Sequence, residues 1–223
     1  MTRRLMLALL PLCACNKVEC PEYAGLHEAG EEWDWQHTAA WTEANSGTTG
    51  TWTVTLDAID LNEAGDALDI VASAVGLDET PGLANTHWST DVRLQCDASG
   101  LWLKSGSWTG EIATPVGTYP VTLLRDLTAY DLVMIPEPEP GSTWTTTVEG
   151  TVSDPQNGEQ PYTETFVRTV TDAPGIVVPA GTFEALKVTT VGDGGGTATS
   201  TAAPDVGSVV DDLGELVAYR PVP

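Results

Sequence analysis

The side chains able to do chemistry are present in this chain, but not at spacings that a known reaction uses. Its three histidines, His27, His37 and His87, lie too far apart in sequence to read as a metal-ligand set and read instead as surface or strand residues. Adjacent carboxylates such as Glu31-Glu32 and Asp211-Asp212 are of the kind that serves acid–base chemistry in glycosidases. With 32 Asp and Glu in 223 residues, however, such pairs arise by chance and most are solvated. The chain has no Gly-x-Ser-x-Gly elbow, no His-Glu-x-x-His, no phosphate loop and no Cys-x-x-Cys. Asp193 and the glycines after it lack the alternating oxygen ligands of a calcium loop. The expectation is a protein that is not an enzyme and that uses no metal or cofactor.

The four cysteines carry more information. Arg3 and Arg4 precede an apolar run from Leu5 to Leu12, and Cys13, Cys15 and Cys20 follow it. A positive head, an apolar stretch of about ten residues where a membrane span needs about twenty, and then small residues is the layout of a signal peptide. Within it, Leu12-Cys13-Ala14-Cys15 resembles the bacterial lipobox, with the small Ala14 before Cys15 as the acceptor of lipid. This divides the chain into a signal peptide (1–14), a lipid-anchored tether (15–24) and a β domain (25–223). Asn16 after the acceptor resembles the sorting signal for the outer membrane. Cys20 and Cys96 then remain, and an oxidising compartment would join them in a disulfide. A buried free thiol and a catalytic cysteine are the alternatives for Cys96, but its inward position in a strand favours the bridge.

Composition excludes one class of partner. A formal net charge of −23 with no basic patch repels nucleic acid and anionic lipid headgroups. Nothing else in the chain is apolar and long enough to span a membrane as a helix.

The elements that must position any site are strands, and many hairpins with no helical layer leave a sandwich, a barrel or a strongly curved open sheet. Trp52, Val54, Leu56 and Ala58 alternate with Thr51, Thr53, Thr55 and Asp57, and the same period of two runs from Trp144 to Val152 and through Leu186 and Val188. Turn chemistry separates these runs at Asn45-Ser-Gly47, Asn62–Gly65, Asp97–Gly100, Asp154–Gly158 and Gly192–Gly196. Ala67–Val75 fits a strand or a helix and is read as a strand, like its neighbours. Pro136–Gly141 reads either as a linker or as a stiff crossing between two strands of one sheet. Pro179 and Gly181 in Val178-Pro-Ala-Gly-Thr-Phe183 predict a tight turn.

The eight tryptophans are the remaining candidates. Most read as core. Trp33 and Trp35 share one face of a strand, and Trp102 falls on the face opposite Leu101 and Leu103. With Trp144 they make a candidate ligand or recognition surface: Trp33, Trp35, Trp102 and Trp144.

Three segments carry a resemblance. Tyr23-Ala-Gly-Leu26 followed by Gly30-Glu-Glu-Trp33-Asp-Trp35, then Val178-Pro-Ala-Gly-Thr-Phe183-Glu-Ala-Leu-Lys187-Val, then Ala203-Pro-Asp-Val-Gly207-Ser-Val209 resemble a family of bacterial lipoproteins similar to the LolA/LolB-like lipoprotein carriers. The chain departs from that pattern in having Thr201 and Ala202, not an aromatic, before Ala203, and in lacking a clear helix to plug a concave face. The resemblance implies a strongly curved antiparallel sheet, a half-barrel or unclosed barrel, with few or no helices outside the signal peptide. The function expected is that of an outer-membrane-anchored, non-enzymatic envelope lipoprotein, on its periplasmic side or at the cell surface. Its partners would be the membrane, through the lipid anchor, and a hydrophobic small molecule or an envelope protein. The alternatives are a surface recognition or carbohydrate-binding module and a purely structural envelope component.

Overall fold

In the computed structural model, which describes residues 18–222, the period-two segments form twelve antiparallel strands. They are β1 (Glu32–His37), β2 (Thr49–Leu61), β3 (Leu68–Glu79), β4 (Thr86–Asp97), β5 (Gly100–Thr114), β6 (Gly117–Met134), β7 (Thr143–Asp154), β8 (Gly158–Val178), β9 (Gly181–Gly192), β10 (Thr197–Ala203), β11 (Gly207–Asp211) and β12 (Gly214–Arg220). The ambiguous segment after Ala67 is strand β3. The leader, Cys15 and the first residues of the 15–24 tether lie outside the described residues.

The protein is mainly β, but the sheet is not left open as expected: each strand pairs with the next, and β1 pairs with both β2 and β12. The half-barrel or unclosed barrel is thus corrected to a closed barrel. The reason lies in β1, where Trp33 stands opposite Val54 on one side and Tyr219 on the other, and Trp35 opposite Trp52 and Leu216. Closure buries the apolar face of β1 from both flanks and removes the two free edges of the sheet. Bulges in seven of the strand pairs, such as those between Leu56 and Ala58 and between Ala173 and Ile176, supply the bends that closure needs.

All five predicted turn segments lie between elements. Asn62 shows how one is built: its Oδ1 accepts from the backbone N–H groups of Gly65, Asp66 and Ala67. Pro136–Gly141 joins the neighbouring strands β6 and β7 of the single sheet. Pro179 and Ala180 make the tight turn between β8 and β9, with Gly181 at φ 148° and Phe183 packed on the core. The one α-helix among the described residues, α1 (Ala39–Ala44), is short and is started by Thr38, whose hydroxyl accepts from the Trp41 N–H.

Because hairpin turns alternate between the ends of such a barrel, the ends can differ, and here they do. One end carries the turns at 62–67, 97–99, 135–142, 179–180 and 204–206, and the N-terminal segment packs into it. Cys20, Ala24 and Leu26 join the core there with Leu56, Ile70, Leu101 and Leu216, and Gly25 lies so close to Val206 and Gly207 that a Cβ would fall 2.2 Å from the backbone. Cys20 and Cys96 form the disulfide expected, Cα to Cα 5.3 Å. Glu31, buried beside them, accepts from the Tyr219 hydroxyl and from the N–H groups of His27 and Glu28. This is the closed end.

Candidate functional site

The inward faces of β4 to β8 become less buried toward the other end. On β8, Val170 and Arg168 are buried, Phe166, Glu164 and Tyr162 half-buried, and Gln160 exposed. On β5, Leu101 is buried, Trp108 half-buried and Ile112 52% exposed. On β7, Thr146 and Val148 are buried, whereas Gly150 and Val152 are half-buried. Solvent therefore enters the barrel from one end and stops midway. The lower half is a packed core; the upper half is a cup.

One arc of the cup, from β1 to β5, is aromatic. Trp35 stacks on Trp52 with centroids 6.0 Å apart, and Trp52 meets Trp88 at 5.9 Å. Nearby glycines make room for the indoles, on the same strand, on the next one or on the next but one. A Cβ at Gly76 would fall 2.3 Å from the Trp88 ring, one at Gly214 2.3 Å from Trp52, and one at Gly110 2.7 Å from Trp108. Rings that fit into glycine gaps lie along the wall.

The other arc, on β6 to β8, is polar. The Arg125 guanidinium lies over the Tyr162 ring and donates to its hydroxyl at 3.0 Å, and Tyr162 donates in turn to Glu164. Desolvation, followed by the Glu164 hydrogen bond, pushes the Tyr162 phenol up to about 12. Beneath this triad Arg168 pairs with Asp131 at 2.7 Å and donates to the Leu132 carbonyl. Three buried polar atoms in this region have no hydrogen-bond partner among the described residues: Arg125 Nε, Asp131 Oδ1 and Thr146 Oγ1.

The rim is uneven. β5 and β6 run on past the last residues that pair with β4 and β7, Gly110 and Leu124, so a two-stranded arm stands above the cup. Its inward side carries Ile112, Tyr119 and Leu123, all exposed. Across the mouth, α1 lays Trp41 on the His37 ring, centroids 3.6 Å apart. His37 also contacts Asp78 Oδ1 through Nε2 and the Leu213 carbonyl through Nδ1, each at 3.1 Å.

The tryptophans picked from sequence are mostly elsewhere. Trp33 is a core residue whose Nε1 is tied to the Val206 carbonyl, and Trp35, likewise 6% exposed, backs the aromatic arc behind Trp52. Trp144 packs toward the closed half and donates to the Leu132 carbonyl. Trp102 does lie on the outer face, half-buried and bonded to Asp97. The cup is lined by Trp52, Trp88 and Trp108; Trp52 and Trp88 both stand opposite Gly76, and Trp88 opposite Gly110 as well, a pairing that only strand register reveals. The carboxylate pairs are structural: Glu32 binds Arg220, Asp212 binds Thr199, and Asp211 accepts from the N–H groups of Leu213 and Gly214. Among the described residues no group of three or more His, Cys, Asp or Glu is placed to hold a metal ion. A groove of about 780 Å³ is of mixed charge, lined by Asp69, Asp91, Arg93, Lys104, Arg125 and Asp126 among others.

Comparison with known proteins finds no matching family, no matching curated protein and no matching solved structure. The chemistry of the cup is therefore read from its own residues.

Proposed function

We propose that this chain is an exported, lipid-anchored protein of the cell envelope that binds an apolar ligand in the open half of its barrel and catalyses no reaction. The observation that carries the reading is the burial gradient along the inward faces, which leaves aromatic rings half-exposed inside a barrel whose other half is packed. Removing such surface from water stabilises a complex by about 25 cal/mol per Å² before the cost of association. The Cys20–Cys96 disulfide is in keeping with export.

The same disulfide supports an orientation. Four residues stand between Cys15 and Cys20, which lets the chain reach about 17 Å. A lipid on Cys15 would hold the closed end toward the bilayer and turn the mouth away from it, so the ligand enters from the aqueous side.

Titration with N-phenyl-1-naphthylamine, read by energy transfer from the tryptophans, tests the binding. Saturation at one probe per chain, with affinity about tenfold weaker in Trp108→Ala, is expected. No saturable binding would overturn the reading. Cys15→Ala tests the anchor separately: the variant should leave the membrane fraction, and retention would contradict lipidation.

A further inference from the structure

We infer that the wall formed by β3 to β6 carries a second site, separate from the cup, that binds an uncharged oligosaccharide. The inference stands on the groove of about 780 Å³ and does not depend on the reading of the cup.

Strand register builds this groove. Ile70 and Leu94 pack in the core, so Asp69, Val71 and Arg93 beside them turn to the outer face. Val71 stands opposite Arg93, Arg93 opposite Ser105, and Ser105 opposite Asp126, a row that crosses four strands. Two residues along, Ser73, Asp91, Ser107 and Leu124 make the next row. Toward the closed end the pairing turns irregular. Lys104, between Leu103 and Ser105, has no partner on β4 or on β6, and β6 runs from Asp126 to Asp131 over the same step. The excess residues carry Tyr130 out of the wall, 37% exposed, with Lys104 Nζ over its ring at 5.3 Å. Lys104 also crosses β4 to meet Asp69 at 3.2 Å. Bulges re-aim side chains in this way and are common beside functional sites.

The lining departs from the rest of the chain. Half of the Lys and Arg among the described residues are in this one groove, namely Arg93, Lys104 and Arg125; Arg168, Lys187 and Arg220 lie elsewhere. Asp69, Asp91 and Asp126 balance them, so the groove is close to neutral in a chain of formal charge −23. Much of its bonding capacity is unspent. The exposed side chains of Arg93 and Asp126 have no hydrogen-bond or ion-pair partner among the described residues. Asp91 accepts from the Ser107 hydroxyl through Oδ2, which leaves Oδ1 open.

These features select among ligand classes. A charged ligand gains little where both signs are present in equal number. An apolar chain would strip water from Arg93 and Asp126 and return no hydrogen bond. An extended peptide finds no strand edge, because β4 and β5 are paired on both sides at these rows. A sugar meets all three conditions. Its hydroxyls both donate and accept, so one can give to Asp126 while its neighbour accepts from the Arg93 fork. The exposed Tyr130 ring offers a flat apolar surface to the C–H face of a pyranose.

The test titrates the full-length protein by isothermal calorimetry with maltotetraose, cellotetraose, mannotetraose and chitotetraose. Tetragalacturonate and the chitosan tetramer serve as charged counterparts. At least one neutral tetrasaccharide should bind with Kd below about 1 mM, and at least about tenfold more tightly than either charged one. Arg93→Ala and Tyr130→Ala should each weaken that binding about fivefold or more. Lys187→Ala removes an exposed charge from β9, outside the groove, and should leave it unchanged. Failure of every neutral sugar to bind, a charged tetramer that binds tightest, affinity that survives either groove substitution, or an equal loss in Lys187→Ala would overturn the inference. The groove variants should still take up N-phenyl-1-naphthylamine in the cup, so failure of this site and failure of the cup reading are told apart.

Discussion

The indole of Trp88 fills the space that a side chain at Gly76 would need: a Cβ there would stand 2.3 Å from the ring. Gly76 and Trp88 face each other across the β3–β4 pair, so strand register sets this fit. Gly76→Val must push the ring into the cup or part the strands. A loss of about 1–3 kcal/mol in urea unfolding is expected, as for other overpacked sites. Probe affinity should fall in the same variant, because a displaced ring occupies the binding volume.

The disulfide closes a loop over a sequence separation of 76 residues. On the chain-entropy argument its removal costs about 4 kcal/mol. Cys20→Ser/Cys96→Ser should unfold at correspondingly lower urea, and hydrogen exchange should rise first around Glu22–Leu26, the segment that the bridge pins to the closed end.

Arg168 and Asp131 form a buried ion pair, with side chains 7% and 5% exposed. Asp131→Ala leaves a guanidinium uncompensated in the barrel and should cost about 3–5 kcal/mol. Replacing both, as Arg168→Met/Asp131→Leu, should recover much of that loss. A double-mutant cycle by denaturant unfolding measures the coupling.

Much of this architecture is legible in the sequence, for a local reason. Alternation in Trp52–Ala58 and side-chain turn chemistry at Asn62 and Asp154 act over a few residues, so the strands and their turns can be read directly. Closure cannot, because it depends on Trp33 meeting Tyr219 at the far end of the chain. The bulges that bend the sheet have no sequence mark that separates them from regular strand. The site shows the same divide. Trp33 and Trp35 could be placed on one face, but only the registers of β2 with β3 and β3 with β4 reveal that Trp52 and Trp88 line the cup. His37 and Asp78 meet only through the β2–β3 pairing, which sets Gly50 opposite Asp78 and leaves room for both side chains.

Burial raises the Asp211 carboxyl above its ordinary value, against the pull of the Gly214 and Leu213 N–H groups. An acid raised by folding binds protons more tightly in the folded state. Its charge therefore lowers stability above the folded value, and that loss disappears as pH falls below the ordinary carboxylate range. Asp211→Asn keeps an acceptor for both N–H groups. It should be more stable than the parent at pH 7 and equal to it near pH 3, as read by urea midpoints across pH.

The central claim is that the open half of the barrel holds an apolar ligand. Native mass spectrometry of residues 16–223, exported to a periplasm without the lipid anchor, tests it most directly. The account predicts a single adduct of an apolar cellular ligand per chain, displaced by excess N-phenyl-1-naphthylamine. A bare polypeptide that takes up neither a cellular lipid nor the added probe would contradict it.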